Sequence, residues 1–501
     1  MKKQRVGIYT VSGLGRDLAY TLYSSYLLVF LTDALGLKTW ELVAVGIIMA
    51  IARIWDAIND PLMGIIIDNR TTRWGKFKPW ILVGAITSAI CFILLFQDFN
   101  LEGAKFLILF TIIYVMSDMT YTMNDIAYWS MYPTFTTDAH KREKIGSQAR
   151  MFASIGMFIT IALVPIIYQS EKIGNPKKAF SIMSIVIASI FLISQILVTI
   201  FVRESEDPIM HVKQEKTRFK DILRIIFKND QLVILMLVIL FLNIGYFITT
   251  SLGIYFFNYD FVRYGGVEFM IFSVILAISQ LIAIILLPIL TKKFKRRQVF
   301  TLAFILMAIG YLSFALVGYV LPMNMIVIGI AGFVLFFGQG FMQVLHIIML
   351  ADTIEYGQWK LGTRNESVIF AVNPFVVKLA TSVQTLVVAL TLAFTGLNEK
   401  VINPLTEDID LANRNHEVYG TPKLTTEEIR HFISQNITSE MRLGLRLSML
   451  IIPFLFVLGS YLLYRFKFKV DEDMHRKITT EIRQRVEMES INIKFFNVLN
   501  K

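Results

Sequence analysis

The sequence predicts an all-α membrane protein in which twelve transmembrane helices form two pseudo-symmetric six-helix bundles. Hydrophobic residues make up 55% of the 501 residues, whereas an ordinary soluble domain has about 45–50%. The excess is collected in repeated apolar blocks of about 20 residues, the length with which an α-helix crosses a bilayer. Lys and Arg gather in alternate short loops between these blocks, which is the pattern of cytoplasmic loops in membrane proteins.

The first half of the chain contains six of these apolar blocks and predicts an N-terminal bundle over 1–202. The first block has a polar lead-in with Arg16 and Asp17, and the fifth begins near Arg150. Charge near a helix end is ordinarily solvated, so position alone gives these residues little weight. We expect the six spans at about 19–35, 41–67, 80–95, 106–129, from 150 onward, and 180–202.

A polar, basic stretch at 203–230 separates the two halves and is expected to be a cytoplasmic linker. Its final part, 219–227, is predicted to be an amphipathic helix on the membrane surface. The C-terminal bundle then covers 231–466, followed by a tail at 467–501 that we expect to be a solvated cytoplasmic helix. Its six spans are expected at about 232–257, 269–290, 299–320, 325–350, 368–394 and 445–464.

The loops predict which side of the membrane each end of the molecule occupies. Basic clusters at 70–78, 141–150, 203–228 and 292–297 all follow even-numbered spans, so both termini are expected in the cytoplasm. The loop at 399–442 is long, polar and mixed in charge, and is expected on the outer side with a short helix at 425–435 capped by Thr425. The net charge of +11 follows from this topology, and no nucleic-acid partner is expected.

Composition and motifs also argue against several classes of protein. Cys91 is the single cysteine and lies in an apolar block, so neither a disulfide nor a metal cluster is expected. The sequence has no nucleotide-phosphate loop, no nucleophile elbow and no His/Cys spacing typical of a metal site. We therefore expect no enzyme and no cofactor. The acidic Asp17 near the start is untypical of a cleavable signal peptide.

An acidic pair inside the second predicted span is the strongest functional signal. Asp56 and Asp60 are four residues apart, with Asn59 between them, so both carboxylates lie on one helix face. An ionised group near the bilayer centre costs about 2.5–3.5 kcal/mol, and two acids also repel each other. Carboxylate, amide and hydroxyl oxygens, including that of Thr122 in the fourth span, suit a hard cation. The alternative is a structural pair hydrogen-bonded to neighbouring helices.

Two further features leave their alternatives open. Tyr121, Asp125 and Trp129 recur every four residues, so one helix face carries a phenol, a carboxylate and an indole. That set suits a sugar, but aromatic residues also anchor helices at membrane boundaries. Lys378 lies about ten residues inside the eleventh span. A partner to the acids is the favoured interpretation, and snorkelling of the ammonium to the surface is the alternative.

A charged segment at 351–364, ADTIEYGQWKLGTR, follows the tenth predicted span. Its residues Asp352, Glu355 and Arg364 are expected to form a charge network on the inner face that holds the two halves together. The network would act as an inner gate.

Seven stretches of the chain resemble the glycoside–pentoside–hexuronide:cation symporters of the major facilitator superfamily. They follow the same order as in that family and extend to Lys378. The matching stretches are GLGRDLAY, ARIWDAINDPLMG, TRWGKFKPWIL, MTYTMNDIAYW, KNDQL, ADTIEYGQWKL and VVK. The set is specific for the family, though not for one substrate within it.

The resemblance implies a major facilitator fold with two bundles around a central cavity and alternating access. It implies that the cation site consists of Asp56, Asn59, Asp60 and Thr122. It also implies a sugar site lined by Asp17, Tyr121, Asp125, Trp129, Arg150 and Lys378. The chain departs from the best-matching members, which have lysine, tryptophan and glutamine where this sequence has Arg16, Gln343 and Asn373. These three residues belong to the expected pocket wall, and the loop at 399–442 is also unlike those members.

The expected function is therefore symport of a sugar or glycoside with Na+ or H+ in the plasma membrane of a bacterium. The expected partners are the small-molecule sugar, a monovalent cation and the lipid bilayer. A sodium-coupled carrier of an amphiphile such as a lysolipid is one alternative, which a lateral opening to lipid would favour. A non-transporting sugar sensor is another, which accumulation of sugar against a gradient would exclude.

Overall fold

The computed structural model describes residues 5–35, 37–168, 176–203, 219–261, 266–402, 404–405, 408, 411–412 and 425–499. In this part of the chain the extended structure is limited to two isolated bridges, and all named elements are helices. The predicted all-α class is confirmed.

The first half of the fold contains six long helices. A π-helical turn, Phe30–Ala34, extends the first of them, and a 3-10 turn, Tyr132–Phe135, extends the fourth. The helices are α1 (Val6–Val29), α2 (Thr39–Asp68), α3 (Lys78–Leu95), α4 (Gly103–Met131), α5 (Ala139–Tyr168) and α6 (Pro176–Phe201). Helix α1 packs mainly against α5 and α6, and α3 packs against α4 and α6.

The second half begins with a short helix and ends with the tail helix. The helices are α7 (Phe219–Lys228), α8 (Asp230–Phe256), α9 (Gly266–Leu290), α10 (Arg296–Leu316), α11 (Met325–Leu361), α12 (Glu366–Phe394), α13 (Thr426–Asn436), α14 (Ser439–Arg446), α15 (Ile452–Lys467) and α16 (Glu472–Leu499). The π-helical turn Phe257–Phe261 extends α8, and the π-helical turn Leu447–Ile451 joins α14 to α15. A third π-helical turn lies at Asn398–Ile402.

Within the described residues, ten helical segments are long and apolar enough to cross a membrane. They are α3 to α6, α8 to α12, and the continuous unit of α14 and α15. Helices α1 and α2 have 24 and 30 residues, enough for a 30 Å core at about 1.5 Å per residue. They pack among the other helices of the first half, and with the ten segments they make twelve.

Three predicted boundaries are wrong, and all for one reason. Helix α1 begins at Val6, so Arg16 and Asp17 lie inside it instead of in a polar lead-in. Helix α5 begins at Ala139, so Arg150 lies in its interior instead of at its start. Helix α11 continues past residue 350 to Leu361. Hydropathy drops at each charged residue, but a helix continues wherever the charges find partners inside the protein.

The smaller elements of the second half also differ in part from expectation. The amphipathic linker helix is present as α7, and α13 begins after Thr425, whose hydroxyl accepts a hydrogen bond from the Glu428 amide. The linker residues 204–218 and the loop residues 413–424 lie outside the described residues. The tail helix α16 is not solvated all round, because His475 is buried and Trp359 Nε1 donates to Glu481 Oε2 at 2.7 Å.

The two halves meet along a few helix pairs. Helix α2 packs against α12, α5 packs against α9 and α11, and α4 packs against α12. Gly64 allows the first of these approaches, since a Cβ at this position would lie 2.9 Å from the Ser367 carbonyl oxygen. Polar side chains of α2, α4, α5, α11 and α12 near this interface, together with those of α1 and α9 that contact them, form the candidate site.

Candidate functional site

Arg16 of α1 organises the first group of polar side chains. Its NH2 atom lies 2.8 Å from Asp17 Oδ2, and its NH1 atom donates to Asp125 Oδ1 of α4. The guanidinium also lies over the rings of Tyr128 and Trp129, at 4.6 and 4.9 Å from their centroids. A planar cation that pairs with two carboxylates and stacks on two rings holds all four in place.

The predicted face of α4 is present in the fold. Tyr121 is buried and stacks on Tyr20 with ring centroids 5.0 Å apart. Asp125 lies one turn further along, and Trp129 another turn. Trp129 contacts Arg16, so it is part of a polar cluster and not only a membrane anchor. Carboxylates accept hydrogen bonds from hydroxyl groups, and the exposed part of an indole packs on an apolar surface. Together they can bind a ring that has hydroxyl groups and one apolar face.

Asp60 of α2 is the centre of the second group. The side chain is fully buried, Lys378 Nζ of α12 lies 2.9 Å from its Oδ2, and Thr122 Oγ1 of α4 lies 3.4 Å from its Oδ1. Asn59 is buried beside it, and its Nδ2 has no hydrogen-bond partner among the described residues. Asp56 lies on α2 one turn earlier, but its side chain is outside the described part of the structure.

The third group joins the halves through amides. Arg150 Nε of α5 donates to Gln343 Oε1 of α11 at 3.4 Å. Gln343 Nε2 and Gln280 Nε2 both donate to Gln339 Oε1, at 3.1 and 2.7 Å. The sequence predicted Arg150 and Gln343 but missed Gln280 and Gln339. Their only signal is a neutral amide within an apolar stretch, Gln280 alone in α9 and Gln339 one turn before Gln343 in α11.

Asn373 of α12 has a buried carbonyl oxygen without a hydrogen-bond partner among the described residues. It lies five residues before Lys378 on the same helix. Thr122 and Asp125 are likewise three residues apart on α4, so the first and second groups are neighbours along one helix. The predicted substrate- and cation-site residues with described side chains therefore lie on six helices: α1, α2, α4, α5, α11 and α12.

A separate charge network closes one end of the molecule. This end, where α2 leads to α3 and α4 leads to α5, is termed the basic end below. Arg142 of α5 binds Asp352 and Glu355 of α11 at 2.8 and 2.9 Å, and all three side chains are fully buried. Arg364 also binds Glu355, at 3.2 Å. The three predicted network residues, Asp352, Glu355 and Arg364, are thus joined to the first half by Arg142.

The network continues to α2, α10 and α12. Lys76 Nζ lies 2.8 Å from Asp68 and 2.6 Å from Glu366, and Arg296 Nε lies 2.6 Å from Glu143. Burial lowers the pKa of the Lys76 ammonium, but the carboxylates of Asp68 and Glu366 outweigh this effect and raise its pKa above the ordinary value. Lys76 therefore stays charged and holds α2 to α12.

Buried ion pairs close the basic end, while the site residues stay partly accessible. The side chains of Asp17, Asp125 and Lys378 are 16, 24 and 23% exposed. The structure is a state with a closed basic end.

Asp352, Glu355 and His475 have the ligand types of a metal site and lie close enough to share one ion. Arg142 NH1, however, lies 2.8 Å from Asp352 Oδ1 and 3.0 Å from Glu355 Oε2. The guanidinium already occupies the place between the oxygens that a cation would take, so the cluster is better described as an ion-pair network.

The sequence matches the family model of MFS/sugar transport proteins over residues 8–414. The chain belongs to this family. The predicted resemblance to the cation symporters of the major facilitator superfamily is confirmed, and the family consists of transporters embedded in membranes.

Relatives of this family member include characterised sugar carriers. The raffinose carrier protein of Pediococcus pentosaceus is 32% identical over 404 residues, which cover 78% of this chain and 62% of the carrier. The match thus spans less than two thirds of the carrier's own length. A lactose permease of Leuconostoc lactis is 29% identical, covering 95% of this chain and 71% of the permease. An isoprimeverose transporter of Lactiplantibacillus pentosus is 26% identical over 77% of this chain and 79% of the transporter.

Solved structures show the same fold at low identity. The E. coli fucose:proton symporter superposes with a TM-score of 0.61 at 13% identity, covering 93% of this chain and 98% of the symporter. A proton:xylose symporter superposes with a TM-score of 0.61 at 15% identity, covering 93% and 95%. Both are major facilitator transporters, so the predicted fold is confirmed.

Proposed function

We propose that this chain is a secondary active transporter that moves a sugar or glycoside together with Na+ or H+ by alternating access. The observation that carries the proposal is Asp60, a fully buried carboxylate of the first half that Lys378 of the second half contacts. A carboxylate inside a membrane protein is costly and usually functional. One that is shared between two bundles can change partner when the bundles move.

The Arg16 group supports a sugar as the substrate. Asp17 and Asp125 are partly exposed and accept hydrogen bonds, and sugar hydroxyls are good donors to carboxylates. Trp129 offers an aromatic face beside them. The relatives whose names state a substrate carry raffinose, lactose or isoprimeverose, which agrees with this chemistry.

The oxygen ligands on α2 and α4 support a monovalent cation as the coupling partner. We assign Asp56, Asn59, Asp60 and Thr122 to its site. Lys378 neutralises Asp60 in the present state, so an entering cation competes with the ammonium or displaces it. Thr122 in the cation site and Asp125 in the sugar site lie on one face of α4. Cation and sugar then raise each other's affinity by the same factor.

The distribution of charge supports an orientation in a bacterial plasma membrane. We place the basic end in the cytoplasm, because basic loops stay inside. Both termini then lie in the cytoplasm, and the present state faces outward. The ion pairs of Arg142 and Lys76 have to break before the site can open inward.

Transport in proteoliposomes tests the proposal. Purified protein is reconstituted, and uptake of labelled lactose, raffinose and xylosides is measured with an imposed Na+ gradient, an imposed proton gradient, or neither. Accumulation above equilibrium with one gradient is the expected result, and Asp60→Asn should abolish it. Binding without accumulation would indicate a sensor, and uptake of a labelled lysolipid alone would indicate an amphiphile carrier. Either result would overturn the proposal.

A further inference from the structure

Gln280, Gln339 and Gln343 form a row of hydrogen-bonded amides, termed the amide row below. It runs from α9 to α11 and ends at Arg150 of α5. Gln280 and Gln339 are 4 and 8% exposed. They lie in the interior of two helices that are apolar on either side of them. Buried amides at this depth need a structural or functional reason.

Packing between α9 and α11 does not by itself require the amides. Gly340 already lets the two helices approach closely, since a Cβ there would lie 2.9 Å from the Gln280 carbonyl oxygen. Small residues at a helix crossing are sufficient for association in membranes. Helix packing therefore does not explain the amide row, and its amides are available to bind a ligand.

The hydrogen bonds fix which atoms the amide row can offer. Gln339 Oε1 accepts from both Gln280 and Gln343, which uses its two lone pairs. Its Nε2 makes no hydrogen bond to any described residue, so both N–H groups remain as donors. In the same half, Asn373 of α12 has a buried carbonyl oxygen with no partner in the described part of the chain. The second half thus presents both neutral donors and a neutral acceptor.

The contact with Arg150 shows where the amide row faces. Arg150 belongs to the first half, and α5 packs against both α9 and α11. The row therefore lies at the interface between the bundles, where transporters of this architecture bind their substrates. It is a counterpart, on the second half, of the Arg16 group on the first half.

The amide row extends from its contact with Arg150 away from the basic end. Gln343 is nine residues before Asp352 on α11, and Gln339 is thirteen residues before it. Gln339 therefore lies one turn, about 5 Å, farther along α11 than the residue that contacts Arg150.

We infer that the amide row is a second sugar subsite, which takes the hydroxyls of the outer ring of a di- or trisaccharide while the Arg16 group holds the first ring. The inference rests on the proposed function as a sugar transporter and adds a substrate class to it. Gln339 would contact the outer ring, and Gln280 would position Gln339 through the bond to its Oε1. Neutral amides recognise hydroxyl patterns through directional bonds without adding charge to the cavity.

Binding calorimetry on the full chain in nanodiscs tests the inference with matched pairs of sugars. Each pair consists of a disaccharide and the methyl glycoside of the ring they share, for example lactose and methyl β-galactoside, or melibiose and methyl α-galactoside. The wild type should bind the disaccharide of one pair more tightly. Gln339→Leu should weaken that disaccharide about fivefold to tenfold, as expected for one or two neutral hydrogen bonds. The methyl glycoside should change less than twofold.

The matched control is Gln195→Leu, which removes a buried glutamine of α6 that bonds to Ser12 and Asn124 within the first half. It should leave the ratio of the two affinities unchanged. An equal effect of Gln339→Leu on both sugars, or no effect on either, would overturn the second subsite while leaving sugar transport intact. A wild type that binds no sugar of any pair would overturn the proposed function, and the subsite with it.

Discussion

Lys378 Nζ of the second half lies 2.9 Å from Asp60 Oδ2 of the first and joins the two halves of the transporter. The described charges around the cavity balance each other. Asp17, Asp60 and Asp125 are matched by Arg16, Arg150 and Lys378 among the described side chains. Asp56, which we assign to the cation site, would be a fourth acid, so the proposed cavity would be one positive charge short. An entering cation can supply that charge.

Removal of Lys378 should abolish coupled accumulation. Lys378→Ala leaves Asp60 buried without its ammonium partner, and an uncompensated buried charge costs about 3–5 kcal/mol. Part of this cost is relieved by solvent, since the lysine is 23% exposed. We expect cation binding to persist or strengthen and sugar accumulation to be lost. Accumulation is measured in vesicles at matched membrane expression.

Lys378→Arg provides the second arm of this experiment. A planar guanidinium does not replace a compact ammonium in a crowded site, so this variant should restore little accumulation. Near-normal accumulation in Lys378→Ala would mean that the lysine only extends toward solvent and that the charge argument is wrong.

The acidic pair of α2 should control the cation response. Asp60→Cys removes the carboxylate that Lys378 and Thr122 contact, and Asp56→Cys removes its neighbour one turn away. Each variant should lose cation-stimulated uptake while some sugar binding remains, because the Arg16 group is unchanged. Uptake with and without the coupling cation is compared in the two variants. Undiminished cation-driven accumulation in both would remove these residues from the cation site.

Asp125 should contribute directly to sugar affinity. A hydrogen bond from a hydroxyl to a charged acceptor is worth about 1.5–3 kcal/mol, so Asp125→Ala should weaken sugar binding by about one to two orders of magnitude. Glu102→Ala is a suitable control, since Glu102 pairs with Lys38 on the exposed surface far from the site. Calorimetry that gives equal sugar affinities for Asp125→Ala and wild type would exclude the role.

Much of this site could be predicted because charged residues interrupt apolar helices. Asp56, Asp60, Asp125 and Lys378 are visible in that way, and their motifs identify the family. The pairing that makes them stable is not visible in the sequence. Arg16 lies 109 residues from Asp125 and Lys378 lies 318 residues from Asp60. The hydropathy pattern therefore placed Arg16 and Arg150 at helix ends, whereas the structure has them inside.

The site and network residues that the sequence analysis did not predict are either neutral or lie outside the predicted membrane spans. Gln280 and Gln339 are 59 residues apart, and only their contact marks them as a pair. Lys76, Arg142 and His475 lie in segments that a charge pattern describes as solvated. Burial and partner geometry distinguish such residues from surface charges, and both are properties of the folded chain.

The tail helix should help to keep the basic end closed. His475 of α16 is buried, and its Nε2 lies 3.3 Å from Arg142 NH1 and 3.6 Å from both Asp352 and Glu355. Further contacts hold α16 on the second half, including Lys295 with Asp473 at 2.7 Å. His475 is thus the point at which the tail meets Arg142, a gate residue of the first half.

His475→Ala should therefore shift the transporter toward a state that is open at the basic end. The buried network that His475 contacts has five carboxylates and four bases among the described residues: Asp68, Glu143, Asp352, Glu355 and Glu366, and Lys76, Arg142, Arg296 and Arg364. The network depends on the position of Arg142, whose NH1 lies within hydrogen-bond distance of the His475 Nε2 acceptor. Loss of one hydrogen bond of about 1 kcal/mol should raise the open fraction about fivefold.

Spin labels measure this shift directly. Lys144 of α5 and Lys292 after α9 are exposed at the basic end of opposite halves, so Lys144→Cys and Lys292→Cys in a Cys91→Ser background report the distance between them. His475→Ala should broaden the distance distribution toward longer values. His431→Ala, which changes an exposed histidine of α13, should not. An unchanged distribution in His475→Ala would show that Arg142, Asp352 and Glu355 close the gate without the tail, because their mutual ion pairs would then be sufficient.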